Sequence, residues 1–346
     1  MLIREYGATN FVTGLRAVAA FLVIGIHTTA FSYFGPLGEN LTRNGKYGVQ
    51  MFFVISGFAV AGTFTREHSF QAYLARRMFR IAPLYYFVVG LMFGLMVVGV
   101  VTPQNHVLDF YTAFMHFSFL SGWDVRVVNS VLGVQWTIPV EVFWYLFLPL
   151  LLPLAASRRW MWKSLLAIAV ISAASQTLGD LLFETHAGSY LPTTHGAYFF
   201  AGATAWFSRS RIDSVGAERK KKGIAVAGFF ILISILFLPT INSLSPVFVG
   251  VSTAMILSSF RQNFFWTPLS TRPFLLLGSI SYSLYLWHAV VITLLPLILP
   301  QWQSGKGLPL FALVSLITIF VSILSYIMIE RPTNRLGSLV ALKLNP

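Results

Sequence analysis

The chain has 346 residues, of which 56% are hydrophobic and only 10% charged, and its formal charge is +13. A soluble domain carries about a quarter charged residues, so this composition excludes a soluble globular protein and falls in the membrane class. The absence of cysteine excludes disulfides, thiolate metal sites and an acyl-cysteine intermediate.

Apolar runs of about 20 residues mark candidate membrane crossings. In chain order they fall at about 12–33, 47–65, 81–101, 136–156, 163–183, 194–208, 223–240, 246–260, 274–299 and 309–329. This predicts an all-α polytopic membrane protein with about ten transmembrane helices. The run 107–121, VLDFYTAFMHFSFLS, is shorter and holds Asp109 and His116. Charge decides how to treat it. With both termini cytoplasmic and this run re-entrant or lying along the surface, all 24 basic residues except Arg43, Lys46, Arg126 and Lys306 face inward. If the run crossed, every later loop would flip and most cations would face out, against the positive-inside rule. The basicity is therefore topological and implies no nucleic-acid partner. The first run carries Arg16 and His27 and no persuasive cleavage signal, so it reads as a retained helix rather than a signal peptide. ERKKK at 218–222 holds its loop inside. There is no internal repeat, and the chain reads as one membrane domain over 1–346 with its core at about 8–335.

Ionisable groups inside apolar helices are expensive and mark candidate functional sites. In GLRAVAAFLVIGIH (14–27), Arg16 and His27 are eleven residues apart. That is three turns and a little more, so both leave one face, ~16 Å apart along the axis. Arg16 at a helix end can simply snorkel to the interface. His27, deeper in, is either a neutral interhelical hydrogen-bonding group or a general base. YLARRMFRIAPLYY (73–86) brings Arg77 and Arg80 together at a three-residue spacing, with Arg76 four before Arg80. The run serves as an inside anchor or as a phosphate site, because guanidinium forks grip phosphate oxygens. In QWTIPVEVFWYLF (135–147) the intramembrane Glu141 shares a face with Trp144 and Tyr145, just beyond Trp136. An unpaired carboxylate there has to be protonated, face a wet cavity or find a partner. Ser56 and Gly57 in GVQMFFVISGF read as close helix packing. No G-x-S-x-G elbow makes Ser56 a nucleophile. Tyr282, Tyr285 and His288 form a polar stripe that suits an interhelical hydrogen-bond ladder, and ERPTNR (330–335) reads as a helix terminator with an inside anchor. The remaining histidines, at 68, 106, 116, 186 and 195, lack metal-ligand spacing, so no metal site is expected.

GLR-x10-H, GVQMFFVISGF, RRMFRIAPLYY, QWTIPVEVFWY, YSLYLWH and ERP occur in one order along almost the whole chain. In this the sequence resembles the acyltransferase family 3 membrane proteins, bacterial O-acyltransferases of glycans and related acceptors. The resemblance implies that Arg16 and His27 are essential for transfer, that Arg77 and Arg80 contact acyl-CoA on the cytoplasmic side, and that Glu141 is the family's intramembrane glutamate. Arg76, Ser56, Trp136, Tyr145, Tyr282 and His288 are expected in support. Thr13, Ala17, Gln50 and Thr137 stand where the family frequently has an acid, a glycine, an aspartate and a serine. Without these two acids, charge pairing near the first helices departs from the family pattern. No fused SGNH-type domain is expected.

The expected function is transfer of an acyl group, acetyl foremost, from cytoplasmic acetyl-CoA as co-substrate to a hydroxyl of an envelope or extracellular glycan such as O-antigen or exopolysaccharide, or of its lipid-linked precursor. The setting is the bacterial inner membrane among its lipids, with no tightly bound cofactor. His27 would act as general base, with an acyl-histidine intermediate as the other path, and Glu141 would polarise or position the acceptor. Two rival readings are a transporter or flippase without covalent chemistry, and a non-catalytic sensor.

Overall fold

The computed structural model describes residues 10–67, 69–102, 108–183, 186–209, 215–239, 245–258 and 267–344, without the side chains of 215–219 and 221. Arg4, His68, His106, Arg211 and Arg261, and the side chains of Arg219 and Lys221, which entered the charge and histidine readings, lie outside the described residues. Among the described residues all regular structure is helical and no strand forms. The helices are α1 (Asn10–His27), α2 (Gly35–Asn44), α3 (Gly48–Phe64), α4 (Phe70–Val97), α5 (Phe110–Phe117), α6 (Thr137–Ala156), α7 (Met161–Phe183), α8 (Gly196–Arg209), α9 (Val215–Phe237), α10 (Ser245–Ser258), α11 (Arg272–Ser279), α12 (Ser281–Ile298), α13 (Leu308–Ser325) and α14 (Arg331–Lys343).

Seven helical stretches among the described residues are long and apolar enough to cross a membrane: α1, α2–α3, α4, α6, α7, α12 and α13–α14. This is a multi-pass membrane protein. The three other expected crossings are helices too, but shorter: α8 has 14 residues, the apolar part of α9 is Lys222–Phe237, and α10 has 14 residues. Shortness goes with burial in α8, where Phe199 and Phe200 are fully enclosed. The helix packs backbone to backbone on α3. A Cβ at Gly57 would stand 1.9 Å from the Phe199 carbonyl oxygen, and one at Gly202 would stand 1.9 Å from that of Val54. Close approach of this kind replaces the hydrophobic drive that lipid cannot supply. Apolar side chains on the outside, such as Leu166, Val170 and Leu181 of α7, are exposed as lipid-facing residues would be.

The structure corrects several segment boundaries. The first span stops at His27, and Thr29 then turns the chain with φ 49° before α2 begins. The expected helix 274–299 is broken at Ile280 (φ −97°, ψ 10°) into α11 and α12. ERP does not terminate the last span. A π turn, Tyr326–Glu330, leads directly into α14. Pro332 follows this π turn at the start of α14, where the wider turn accommodates a residue that has no N–H to donate back. α3 runs antiparallel to α1, with Gly45 against Leu22 and Gly48 against Ala19.

The run 107–121 yields only the eight-residue α5, too short to cross; residue 107 lies outside the described part. Asp109 caps it, accepting from the Thr112 N–H at 2.7 Å. Phe110 and Phe114 are exposed while His116 is fully buried. The helix is tethered by the Tyr111 hydroxyl, which donates to Asp124 Oδ2 at 2.7 Å, and by His116 Nε2, 2.9 Å from Ser130 Oγ and 3.1 Å from the Val127 carbonyl. Arg126 donates to both oxygens of Asp124, and these bonds hold that carboxyl well below the usual carboxylate range. Burial lowers His116 from 6.5 to about 4, with the Val127 bond working weakly against it. Between those values the unfolded chain binds the extra proton, so stability rises with pH there and is lost as pH falls from 6.5 towards 4. Thermal unfolding in detergent should therefore show a lower midpoint at pH 5 than at pH 7.5, with a smaller drop in His116→Gln.

Candidate active site

Arg16 lies on α1 two turns from its start, half-buried, and its Nε donates to Ser281 Oγ at 3.0 Å. The break at Ile280 starts α12 at this serine. The guanidinium stands 6.0 Å over the Phe52 ring. Arg16 opens into a cavity whose wall also includes Ser56, Glu141, Ser281, Tyr282 and Tyr285. Glu141 faces this cavity without an ion pair among the described residues. Its Oε1 accepts from the Ser56 hydroxyl at 2.5 Å and from the Tyr145 hydroxyl at 2.7 Å. Ser56 is thus bound to the carboxylate, a role that the packing reading of its segment missed. Tyr282 donates to the Ile81 carbonyl and Tyr285 to that of Val134, both at 2.8 Å, which fixes α12 against α4 and the loop before α6. Trp136 belongs to an aromatic group behind the cavity, 6.2 Å from Phe53 and 5.4 Å from His195 by ring centroids.

The arginines of α4 differ in their partners. Arg77 is buried, and its Nη2 donates to the Ala59 carbonyl and Thr63 Oγ1 of α3. It also lies against Tyr73 and Tyr145, 5.9 and 5.4 Å from their ring centres. Arg76 pairs with Glu67 at 2.6 Å. Arg80 is half-buried and makes no hydrogen bond or ion pair among the described residues. Arg80 and Glu141 both act on Arg16 through space. Glu330, read from the sequence only as part of a terminator, is buried here and takes a hydrogen bond from Ser283. It also acts on Arg80 and Arg16. The sequence signal for it was a lone carboxylate at the end of the apolar run SYIMIE.

His27 is not on the cavity wall and does not meet Glu141. It sits exposed at the far end of α1, and Ser56, two turns along the antiparallel α3 from Gly48, lies towards the Arg16 end. His27 Nδ1 is 2.8 Å from the Val23 carbonyl and 3.4 Å from Nε2 of His288. The rings of the two histidines are 5.1 Å apart, and that of His288 is 5.8 Å from Tyr285 on the cavity wall. The cavity and His27 are thus linked through α12.

The model of a family described as an acyltransferase domain matches residues 9–327. The chain belongs to acyltransferase family 3. Nodulation protein 10 of Rhizobium leguminosarum bv. viciae is 28% identical, over 96% of this chain and 95% of that protein. A viral protein named as a candidate acetyltransferase, ORF330 of Acidianus two-tailed virus, is 28% identical over 81% of this chain and 82% of its own length. The peptidoglycan O-acetyltransferase OatA of Listeria monocytogenes is 24% identical over 94% of this chain, which spans 56% of OatA. No solved structure matches. The family and its O-acetyltransferase members make this acyltransferase-family chain an acyltransferase.

Arg77 is bonded into the packed contact between α4 and α3, whereas Arg80 makes no such bond among the described residues. Arg77→Gln should lower stability by about 1–3 kcal/mol, since it strips charged hydrogen bonds from a buried site. Arg80→Gln should leave the unfolding midpoint in detergent unchanged.

Proposed function

We propose that the protein transfers an acyl group, acetyl foremost, from cytoplasmic acyl-CoA to a hydroxyl of an envelope or extracellular glycan at the bacterial cytoplasmic membrane. The observation that carries this reading is the placement of two unlike sites along one helix. A cation-bordered cavity lies at the Arg16 end of α1, and an exposed imidazole lies at the other end. CoA carries phosphates and does not cross a bilayer unaided. Arg80 and Arg16 are the cations placed to receive them, and Arg77 supports the wall behind. The pantetheine arm extends from there towards His27, over a separation on the order of 16 Å. OatA, named as a peptidoglycan O-acetyltransferase, supports a glycan acceptor.

The chemistry is a proton transfer and an acyl transfer. With Nδ1–H directed to the Val23 carbonyl, His27 leaves Nε2 bare to take the proton of the acceptor hydroxyl. The hydroxyl oxygen bonds to the thioester carbonyl carbon, the carbon–sulfur bond breaks, and the proton passes from Nε2 to the CoA sulfur. Glu141 belongs to the donor side in this scheme, orienting Ser56 and Tyr145 at the cavity wall. Exposure of His27 gives the acceptor its approach.

In proteoliposomes given labelled acetyl-CoA and a glycan acceptor, CoA release and label on the glycan are expected. His27→Gln should lower both about 10²- to 10⁴-fold. Label carried into the lumen without a covalent product, or full activity in His27→Gln, would overturn the reading. Topology is open to a separate check, because the chain has no cysteine of its own. Lys306→Cys should react with an impermeant maleimide on intact cells, and Arg335→Cys only after the membrane is opened.

A further inference from the structure

The second histidine is buried to the last atom, although a buried imidazole is costly unless its nitrogens are used. His288 Nδ1 lies 3.2 Å from the Leu284 carbonyl, one turn back on its own helix. A carbonyl only accepts, so that nitrogen carries the proton and Nε2 holds the lone pair. This lone pair lies 3.4 Å from His27 Nδ1, which has the Val23 carbonyl at 2.8 Å on its other side. Both neighbours of His27 Nδ1 are acceptors. The arrangement admits one tautomer of His27, with Nδ1 protonated and Nε2 bare towards the exposed side.

We propose that His288 is a positioning residue for the transfer reaction, one that joins the nearer Val23 carbonyl in holding His27 as the Nδ1–H tautomer and supports the imidazolium formed when Nε2 takes the acceptor proton. The chain of donors runs from the acceptor hydroxyl to His27 Nε2, from His27 Nδ1 to His288 Nε2, and from His288 Nδ1 to the Leu284 carbonyl. It has the logic of the serine-hydrolase triad, with a neutral imidazole in the place of the carboxylate. A neutral partner fits the setting. A carboxylate buried beside His27 would bring a second charge into an apolar bundle, whereas an imidazole donating to a helix carbonyl brings none. Tyr285, its ring 5.8 Å from that of His288 and its hydroxyl committed to Val134, keeps the cavity side of the pair closed to rotation. This inference rests on the reading of His27 as the base.

Two measurements test it. Nitrogen-15 spectra of histidine-labelled wild-type protein, with the His27 signal assigned by its loss in His27→Gln, should show Nδ1 protonated and Nε2 bare at pH 8. An Nε2–H tautomer would overturn the proposal whatever the variants do. In the transfer assay, His288→Phe keeps a ring but loses the acceptor atom, and should lower kcat by about 10- to 100-fold with the KM for acetyl-CoA within about twofold. His288→Gln, which offers an amide oxygen to His27 Nδ1, should recover most of that loss. A His288→Phe protein that folds and turns over at the wild-type rate overturns the proposal, as does a folded His288→Gln no faster than His288→Phe. The two failures are distinguishable. Loss of transfer in His27→Gln with none in His288→Phe leaves the base in place and removes only its partner, whereas full activity in His27→Gln removes both.

Discussion

The constraint on which the rest depends is the cost of placing charge inside a bundle of apolar helices. Desolvating an ion costs several kcal/mol even after relaxation, and one hydrogen bond to a charged group returns about 1.5–3 kcal/mol. Two hydroxyls on one oxygen of Glu141 therefore offset only part of that cost. The remainder has to come from the cavity that the carboxylate faces and from the cations across it. The same arithmetic explains the company of Arg16 and Glu330: Ser281 and Ser283, two residues apart at the start of α12, each bond one of them. The polar interior is a set of serines and tyrosines arranged around a few ionisable groups.

Those charges are divided by position along α1. The Arg16 end gathers cations and carboxylates around a cavity, whereas the His27 end holds two imidazoles, one of them exposed. A membrane enzyme working on a donor from one side and an acceptor from the other needs such a division, because neither substrate has to enter the other's compartment. α12 runs alongside and contributes to both ends, with Ser281 at one, His288 at the other and Tyr285 between them.

Much of the fold was legible in the sequence, because a hydrophobic run long enough to span a bilayer leaves a helix few alternatives. Each proposed crossing contains a helix among the described residues, though not over its whole length, and the short segment with Asp109 and His116 is an eight-residue helix held by its cap and by buried polar contacts. What hydropathy missed are events on the scale of one residue. The break at Ile280 lies in an unbroken apolar stretch, and Pro332 looked like a stop because a proline beyond a span commonly is one. Candidate site residues were visible in the sequence wherever an ionisable group interrupted an apolar run. Their partners were not. His27 and His288 are 261 positions apart, and nothing local in either segment says which helix the other will face. Arg77 and Arg80 share a motif yet end on different neighbours, since a three-residue step still turns the side chain by about 60°.

The π turn between α13 and α14 makes chain length itself part of the site. Such a turn holds one residue more than an α turn would. Winding Tyr326–Glu330 at regular α pitch with every residue kept would swing everything beyond it by about 100°. Gly337 would leave its seat against Phe79 on α4, and the Glu330 carboxylate would rotate away from Ser283. The C-terminal helix and the buried acid are geared together through that extra residue, so this short segment should tolerate the loss of one residue, which closes the π turn, far better than the gain of one.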